Sequence, residues 1–169
     1  MAVSEALLAD AAATEAFGAR LAACCQGGLL VFLRGELGTG KTTLVRGLLR
    51  ALGHSAAVKS PTYTLVESYQ LPALQVHHLD LYRLTSAEEL EWLGIRDLLT
   101  VDAACLIEWP ERGAGVLPPA DLEVTLSYQG AGRRVAVRAL SDAGRQVAGC
   151  LRDRLGPGPA AVAPADQTR

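Results

Sequence analysis

Nine residues, Gly35-Glu36-Leu37-Gly38-Thr39-Gly40-Lys41-Thr42-Thr43, constrain this chain more than any other stretch. They fit G-x-x-x-x-G-K-[ST], a loop whose backbone N–H groups cradle phosphate. Several phosphate oxygens must meet backbone amides at once, so the loop has to turn tightly and keep side chains clear. Gly35, Gly38 and Gly40 supply the φ/ψ freedom for that approach. Lys41 brings a point charge that reaches β- and γ-phosphates, and the Thr42 hydroxyl offers an oxygen to Mg²⁺. Leu37, Thr39 and Thr43 complete the stretch expected against a nucleotide.

The flanks agree with the loop. Leu29-Leu30-Val31-Phe32-Leu33 is a continuous apolar run of the kind a buried parallel strand requires. Behind the loop, Leu44, Val45, Leu48, Leu49 and Leu52 recur on one helical face, and Gly53 follows as a stop. The loop therefore feeds a helix N-terminus, whose free amides and dipole favour anions.

At 169 residues the chain is long enough for one well-buried domain and short for two. We expect a single domain over residues 1–155. The segment 156–169, rich in Gly, Pro and Ala, is expected to be disordered. No apolar run approaches the ~20 residues that span a bilayer, and no signal-peptide pattern opens the chain. A cytoplasmic protein is the expectation. A net charge of −2 argues against a basic nucleic-acid face, so neither DNA nor a membrane is an expected partner. Cys24, Cys25, Cys105 and Cys150 form no C-x-x-C pair and read as buried, reduced thiols rather than disulfides or a metal site.

Taken in order, Ala6-Leu7-Leu8 has the look of an edge strand, and Asp10 caps a helix running to about Cys25. Thr14 on that helix reads, from sequence alone, as a surface threonine. Thr64–Tyr69 and Leu74–Leu81 are rich in β-formers around the turn Gln70-Leu71-Pro72-Ala73, which predicts a hairpin. Ser60-Pro61-Thr62 before it is a rigid polar loop; such loops beside phosphate sites sense the γ-phosphate, although an ordinary Ser-Pro turn fits as well. His77 and His78, adjacent on a strand, point to opposite faces and cannot chelate one metal together; each reads as a packed or surface histidine. Ser86 with Glu89 makes a capping box for a short helix with Leu90 and Trp92 or Leu93 inside, and Ile95–Leu99 gives another short helical piece. Ala103–Ile107 is a buried strand closing on Glu108. Two acids at strand ends, Asp80 and Glu108, thus compete for Mg²⁺. We assign Glu108 and Thr42 to the metal, because the Glu108 strand is wholly apolar, and Asp80 to ordering water. Lys41, Asp80 and Glu108 are the expected catalytic set. Leu122–Tyr128 and Val135–Val137 predict a second hairpin, and Ser141-Asp142 opens a closing helix to Leu155. Arg133 starts the second strand of that hairpin; a solvated arginine is the plain reading and an approach to the nucleotide the sharper one.

Four stretches in this order resemble one family: Gly35–Thr43, Val58–Leu65, His78–Leu84 with Glu88-Glu89-Leu90 and Gly94-Ile95, and Ile107-Glu108-Trp109-Pro110. Together they are similar to the TsaE (YjeE) family of small ATPases in threonylcarbamoyladenosine tRNA modification. The resemblance covers roughly residues 10–140. It implies a three-layer α/β/α P-loop domain with a mixed sheet and added β-hairpins, binding ATP with Mg²⁺ as cofactor. It also implies association with TsaB and TsaD, whose TsaD subunit modifies adenosine 37 of tRNAs reading ANN codons. The tRNA would then be met only indirectly, and ATP hydrolysis would drive or reset the complex. By position, Lys41, Thr42, Glu108 and Asp80 match the phosphate lysine, the Mg²⁺ ligands and a hydrolytic acid. Trp109 matches a tryptophan near the site and Thr14 a helix position near the adenine. Ser60, Thr62 and Arg133 are expected near the site from the residue pattern alone. Two further readings share the same loop: a P-loop small-molecule kinase, and an ATP-gated interaction module with incidental hydrolysis.

Overall fold

The computed structural model describes residues 3–156 and builds them around a seven-stranded mixed sheet. In chain order the elements are β1 (Val3–Leu8), α1 (Ala11–Cys24), β2 (Leu30–Arg34), α2 (Lys41–Ala51), β3 (Val66–Gln70) and β4 (Gln75–Asp80). Two single-turn helices follow, α3 (Glu89–Trp92) and α4 (Ile95–Leu98), then β5 (Ala103–Glu108) and a 3-10 turn at Pro110–Gly113. The chain continues with β6 (Leu122–Gln129), β7 (Gly132–Ala139) and α5 (Asp142–Leu155).

Across the sheet the order is β1-β7-β6-β2-β5-β4-β3. The centre is parallel, β2 pairing with both β5 and β6, and β5 with β4. The two edges are antiparallel, formed by β1, β7 and β6 on one side and the β3–β4 hairpin on the other. This division follows from composition. Central β2 and β5 are apolar on consecutive residues and bury both faces, whereas β7 alternates and the edge strand β3 has no fully buried residue. Both sequence-predicted hairpins and the edge strand form. The first hairpin's strands are shorter than expected, since Thr64 and Leu65 remain in the preceding turn.

The helices α1, α2 and α5 cover one face, burying Phe17, Leu21, Leu44, Leu48, Val147 and Leu151 with the sheet residues Val31, Leu33 and Leu106. The opposite face holds Leu30, Leu79, Cys105 and Ile107 under Leu84, Leu90 and Ile95 from the short helices and loops. Three layers result, with the second helical layer thin. Leu90 faces inward as its spacing predicts, but Trp92 is 87% exposed. A single helical turn offers one buried position, and Leu90 takes it.

Asp10 caps α1 through a 2.8 Å hydrogen bond from the Ala13 amide, and Ser141 caps α5 in the same way from Gly144 at 3.0 Å. The cysteine expectation needs correction. Cys24 and Cys150 form a disulfide joining α1 to α5, with Cα atoms 5.8 Å apart, while Cys25 and Cys105 are free. Their sequence separation of 126 residues hides this proximity, which arises only because α5 returns across the end of α1. Burial raises both free thiols to about 12, so neither ionises near neutrality.

The packing of α1 on α2 sets the floor of the phosphate loop. A Cβ on Gly47 would lie 2.0 Å from the Glu15 carbonyl oxygen, and one on Gly18 would lie 2.1 Å from that of Leu44. The two backbones therefore touch directly. Gly47→Ala must push them apart, and we expect a loss of about 1–3 kcal/mol in urea denaturation. An unchanged midpoint and slope would show that this contact is not needed.

Candidate nucleotide site

The site sits at the carboxyl ends of the parallel strands, where open α/β sheets place their ligands. β2 ends at Arg34 and the chain turns sharply through Gly35, Gly38 and Gly40, with φ of 147°, 77° and 103°. These are left-handed conformations that a side chain would strain, so the glycines expected for the loop occupy the positions that demand them. Thr39 closes the turn from inside: its hydroxyl donates to the Glu36 carbonyl at 2.8 Å. Gly40 then leads into α2, pointing the helix N-terminus at the loop's concave side.

A cavity of about 490 Å³ opens in front of the loop. Leu37, Gly38, Gly40, Lys41, Thr42 and Thr43 form one wall, and Ser60, Thr62, Asp80, Tyr82, Arg83, Glu108 and Trp109 the other. The volume falls in the range of small-molecule and cofactor sites. Lys41 lies across the loop, its ammonium donating to the carbonyls of Gly35 at 2.6 Å and Glu36 at 2.9 Å. Burial lowers its pKa from the ordinary lysine value, and the carboxylates of Glu108, Asp80 and Glu111 push it back up. The indole of Trp109 supports the same ammonium, with Nζ 4.7 Å from the ring centroid. Trp109 reaches this position through a left-handed backbone (φ 56°), rare for a bulky residue and a form of strain found at ligand sites. Tyr82 packs against the same indole in a tilted arrangement, ring centroids 5.1 Å apart.

The acids arrive by strand register. Asp80 and Glu108 are the last residues of β4 and β5 and are direct partners in that parallel pair. Both are buried. Their environments differ. The Glu108 Oε1 atom accepts from the Thr42 hydroxyl at 3.1 Å and contacts His78 Nε2 at 2.8 Å. Asp80 faces the Ser-Pro-Thr loop, its Oδ2 accepting from Ser60 at 2.7 Å and Thr62 at 3.2 Å, and its Oδ1 from the Tyr82 amide at 3.0 Å. The structure thus separates two acids that sequence left in competition: one is bound to the phosphate-loop threonine, the other to the polar loop.

The remaining expected residues fall around the loop's outer side. Arg133 is not a solvated arginine; it donates to the carbonyls of Thr39 and Gly38, both at 3.1 Å, and stacks on Tyr128. Its guanidinium braces the loop from behind. Thr14 is 2% exposed, which corrects its reading as a surface threonine. It sits under the loop, and with Asp10, Thr39, Gly40, Thr43 and Arg133 it lines a second, smaller cavity of about 150 Å³. His78, expected only as a packed or surface histidine, stands buried beside Glu108. The alternation of strand residues places positions 78 and 80 on one face, and that signal sufficed to put this histidine beside the acids.

Oxygen donors dominate the metal side. The Thr42 hydroxyl and Glu108 carboxylate are within 3.1 Å of one another, a hard-oxygen pair that suits Mg²⁺ with phosphate and water oxygens completing the shell. Because the hydroxyl gives its proton to Glu108, both of its lone pairs stay available to a cation. The residues present fit the ion.

Comparison with known proteins identifies relatives of the chain. The family model for threonylcarbamoyl adenosine biosynthesis protein TsaE matches residues 8–136. A tRNA threonylcarbamoyladenosine biosynthesis protein TsaE from Haemophilus influenzae is 49% identical over 119 residues, covering 70% of this chain and 75% of that protein. The protein of the same name from Bacillus subtilis is 33% identical over 117 residues, covering 69% and 73%. The crystal structure of Bacillus subtilis YdiB superposes with a TM-score of 0.80 at 23% identity, covering 92% of this chain and 97% of that one, and shows the same fold.

The two tryptophans provide a test. Trp109 lines the cavity and Trp92 is far more exposed, so Trp92→Phe leaves emission from Trp109 alone. Mg-ATP should change that emission and leave a Trp109→Phe variant unaffected. No change in the first variant would place the nucleotide elsewhere.

Proposed function

The chain belongs to the TsaE family, and from that premise we propose that it is an Mg²⁺-dependent ATPase serving threonylcarbamoyl modification of tRNA. Its relatives carry the name of that biosynthesis. The finer reading is that it acts with a TsaB–TsaD complex, without itself transferring the threonylcarbamoyl group to adenosine 37. The observation that supports catalysis most directly is the register pair Asp80–Glu108 at the mouth of the phosphate loop. Two buried carboxylates facing a P-loop lysine are hard to explain by packing alone.

In this reading the amides from Gly38 to Thr43 and the Lys41 ammonium bind the β- and γ-phosphates. Thr42 and Glu108 hold the cation, which when bound neutralises charge on the phosphate oxygens. Asp80 orients the attacking water. Its Oδ2 already meets two hydroxyls while Oδ1 accepts one amide, so Oδ1 retains an acceptor position for that water. The water oxygen bonds to the γ-phosphorus as the bond to the bridging oxygen breaks, and most acceleration comes from positioning and charge. Arg133 is committed to the loop carbonyls, and Arg83, at the cavity rim, lies over Tyr63. Neither points to a transition-state finger, which accords with slow turnover by the chain alone and a rise when partners complete the site.

A second reading is supported by the bonds from Ser60 and Thr62 to Asp80. They tie a surface loop to the acid nearest the reacting group, so occupancy of the site can bias a partner's affinity. The chain would then be an ATP-gated switch whose hydrolysis is incidental.

Phosphate release from Mg-ATP, measured for the chain alone and with TsaB and TsaD, tests the first reading. We expect slow release that rises with the partners; strong partner-independent release, or none in either condition, would overturn it. Asp80→Ala should lower the stimulated rate by about a hundredfold or more. If tRNA modification survives that loss, the switch reading replaces the catalytic one. Lys41→Ala should weaken triphosphate binding itself.

A further inference from the structure

We propose that His78 is a positioning residue that fixes the metal-side carboxylate, an inference that rests on the assignment of Glu108 to Mg²⁺. His78 is fully buried, and its Nε2 lies 2.8 Å from Glu108 Oε1. A carboxylate oxygen only accepts, so the imidazole donates through Nε2–H. The other ring nitrogen, Nδ1, is buried with no hydrogen-bond partner among the described residues. An unpaired polar atom in a core costs about 1–3 kcal/mol. An apolar side chain of similar shape would fill this space without that penalty, so the ring's contribution lies in the one bond it makes.

That bond completes a clamp. Glu108 Oε1 is held from two sides, by Thr42 from the start of α2 and by His78 from β4. The two donors stop the carboxyl group turning about its last torsion. Glu108 lines the cavity, and its Oε2 takes no hydrogen bond from a described residue, which leaves that oxygen uncommitted for a cation or its water shell. With Thr42 alone, the carboxylate would be tethered to a hydroxyl whose own oxygen is also assigned to the ion. His78 supplies an anchor outside the coordination sphere, the arrangement by which outer-shell groups orient metal ligands. It also sits two residues before Asp80 on β4, so one strand positions both acids.

The test reads metal binding rather than turnover. ADP affinity is measured by calorimetry across a Mg²⁺ series and without Mg²⁺, giving the Mg²⁺ concentration at half-effect. His78→Leu and His78→Asn both lose the donor to Glu108, the asparagine amide being too short, whereas His78→Gln places an amide N–H near the position of Nε2. We expect the first two to raise the Mg²⁺ requirement about tenfold or more, as loss of an outer-shell partner does. Metal-free ADP affinity should stay within about twofold, and the glutamine variant should recover most of the parent's value. Equal Mg²⁺ requirements in all variants and parent would overturn the proposal, leaving His78 as packing. An equal rise in all three variants would also overturn it, since ring shape and not the donor would then matter. Glu108→Gln in the same series separates the two claims. If it leaves the requirement unchanged, the metal assignment fails without any change at position 78. Should the leucine variant fail to fold, the glutamine–asparagine contrast still decides.

Discussion

The loop between β2 and α2 depends on backbone that must run left-handed at three positions to curve around its concave side. Gly35, Gly38 and Gly40 provide it, and the rest of the molecule holds the resulting curve in place. Lys41 spans the curve by donating to the carbonyls of Gly35 and Glu36. Thr39 pins it from within, and Arg133 reaches from β7 to pin it from behind. Below, α1 packs so closely on α2 that neither Gly18 nor Gly47 has room for a methyl group. A loop of this kind is costly to order, and its rigidity here comes from its own Thr39 together with α2, β7 and α1.

The chemistry is placed by a different device. Parallel pairing of β4 with β5 sets Asp80 opposite Glu108, and pairing of β5 with β2 puts both beside the loop. A slip of one residue in either register would turn the acids into the opposite layer. From this frame each carboxylate draws a different neighbourhood: Glu108 the loop threonine and His78, Asp80 the hydroxyls of Ser60 and Thr62. One acid is thereby bound to the phosphate loop and the other to a segment facing outward. Under the proposed function, that division would couple chemistry at the nucleotide to contact with a partner.

Much of this was legible in the sequence because it rests on local rules. The glycine spacing, the apolar runs of β2 and β5, and the caps at Asp10 and Ser141 are signals a few residues long. Errors arose where distant segments meet. Thr14 looks solvated until α1 is laid under the loop, and Cys24 and Cys150 look unrelated until α5 crosses α1. Trp92, expected as an alternative to Leu93 beside Leu90, stays exposed because a helix of one turn has too little surface to bury it. His78 was visible as a strand residue on the acid face, yet its bond to Glu108 depends on the register of two strands 30 residues apart in the chain. The order of the strands, from which the site follows, is likewise a property of long-range pairing.

The central claim is that the loop holds a nucleotide through its outer phosphates. Calorimetric titration of the chain with ATP, ADP and AMP, each with excess Mg²⁺, tests it most directly. The account predicts binding of ATP and ADP and little or none of AMP, because Lys41 and the loop amides act on the β- and γ-phosphates. Binding of AMP as tight as that of ATP would contradict it.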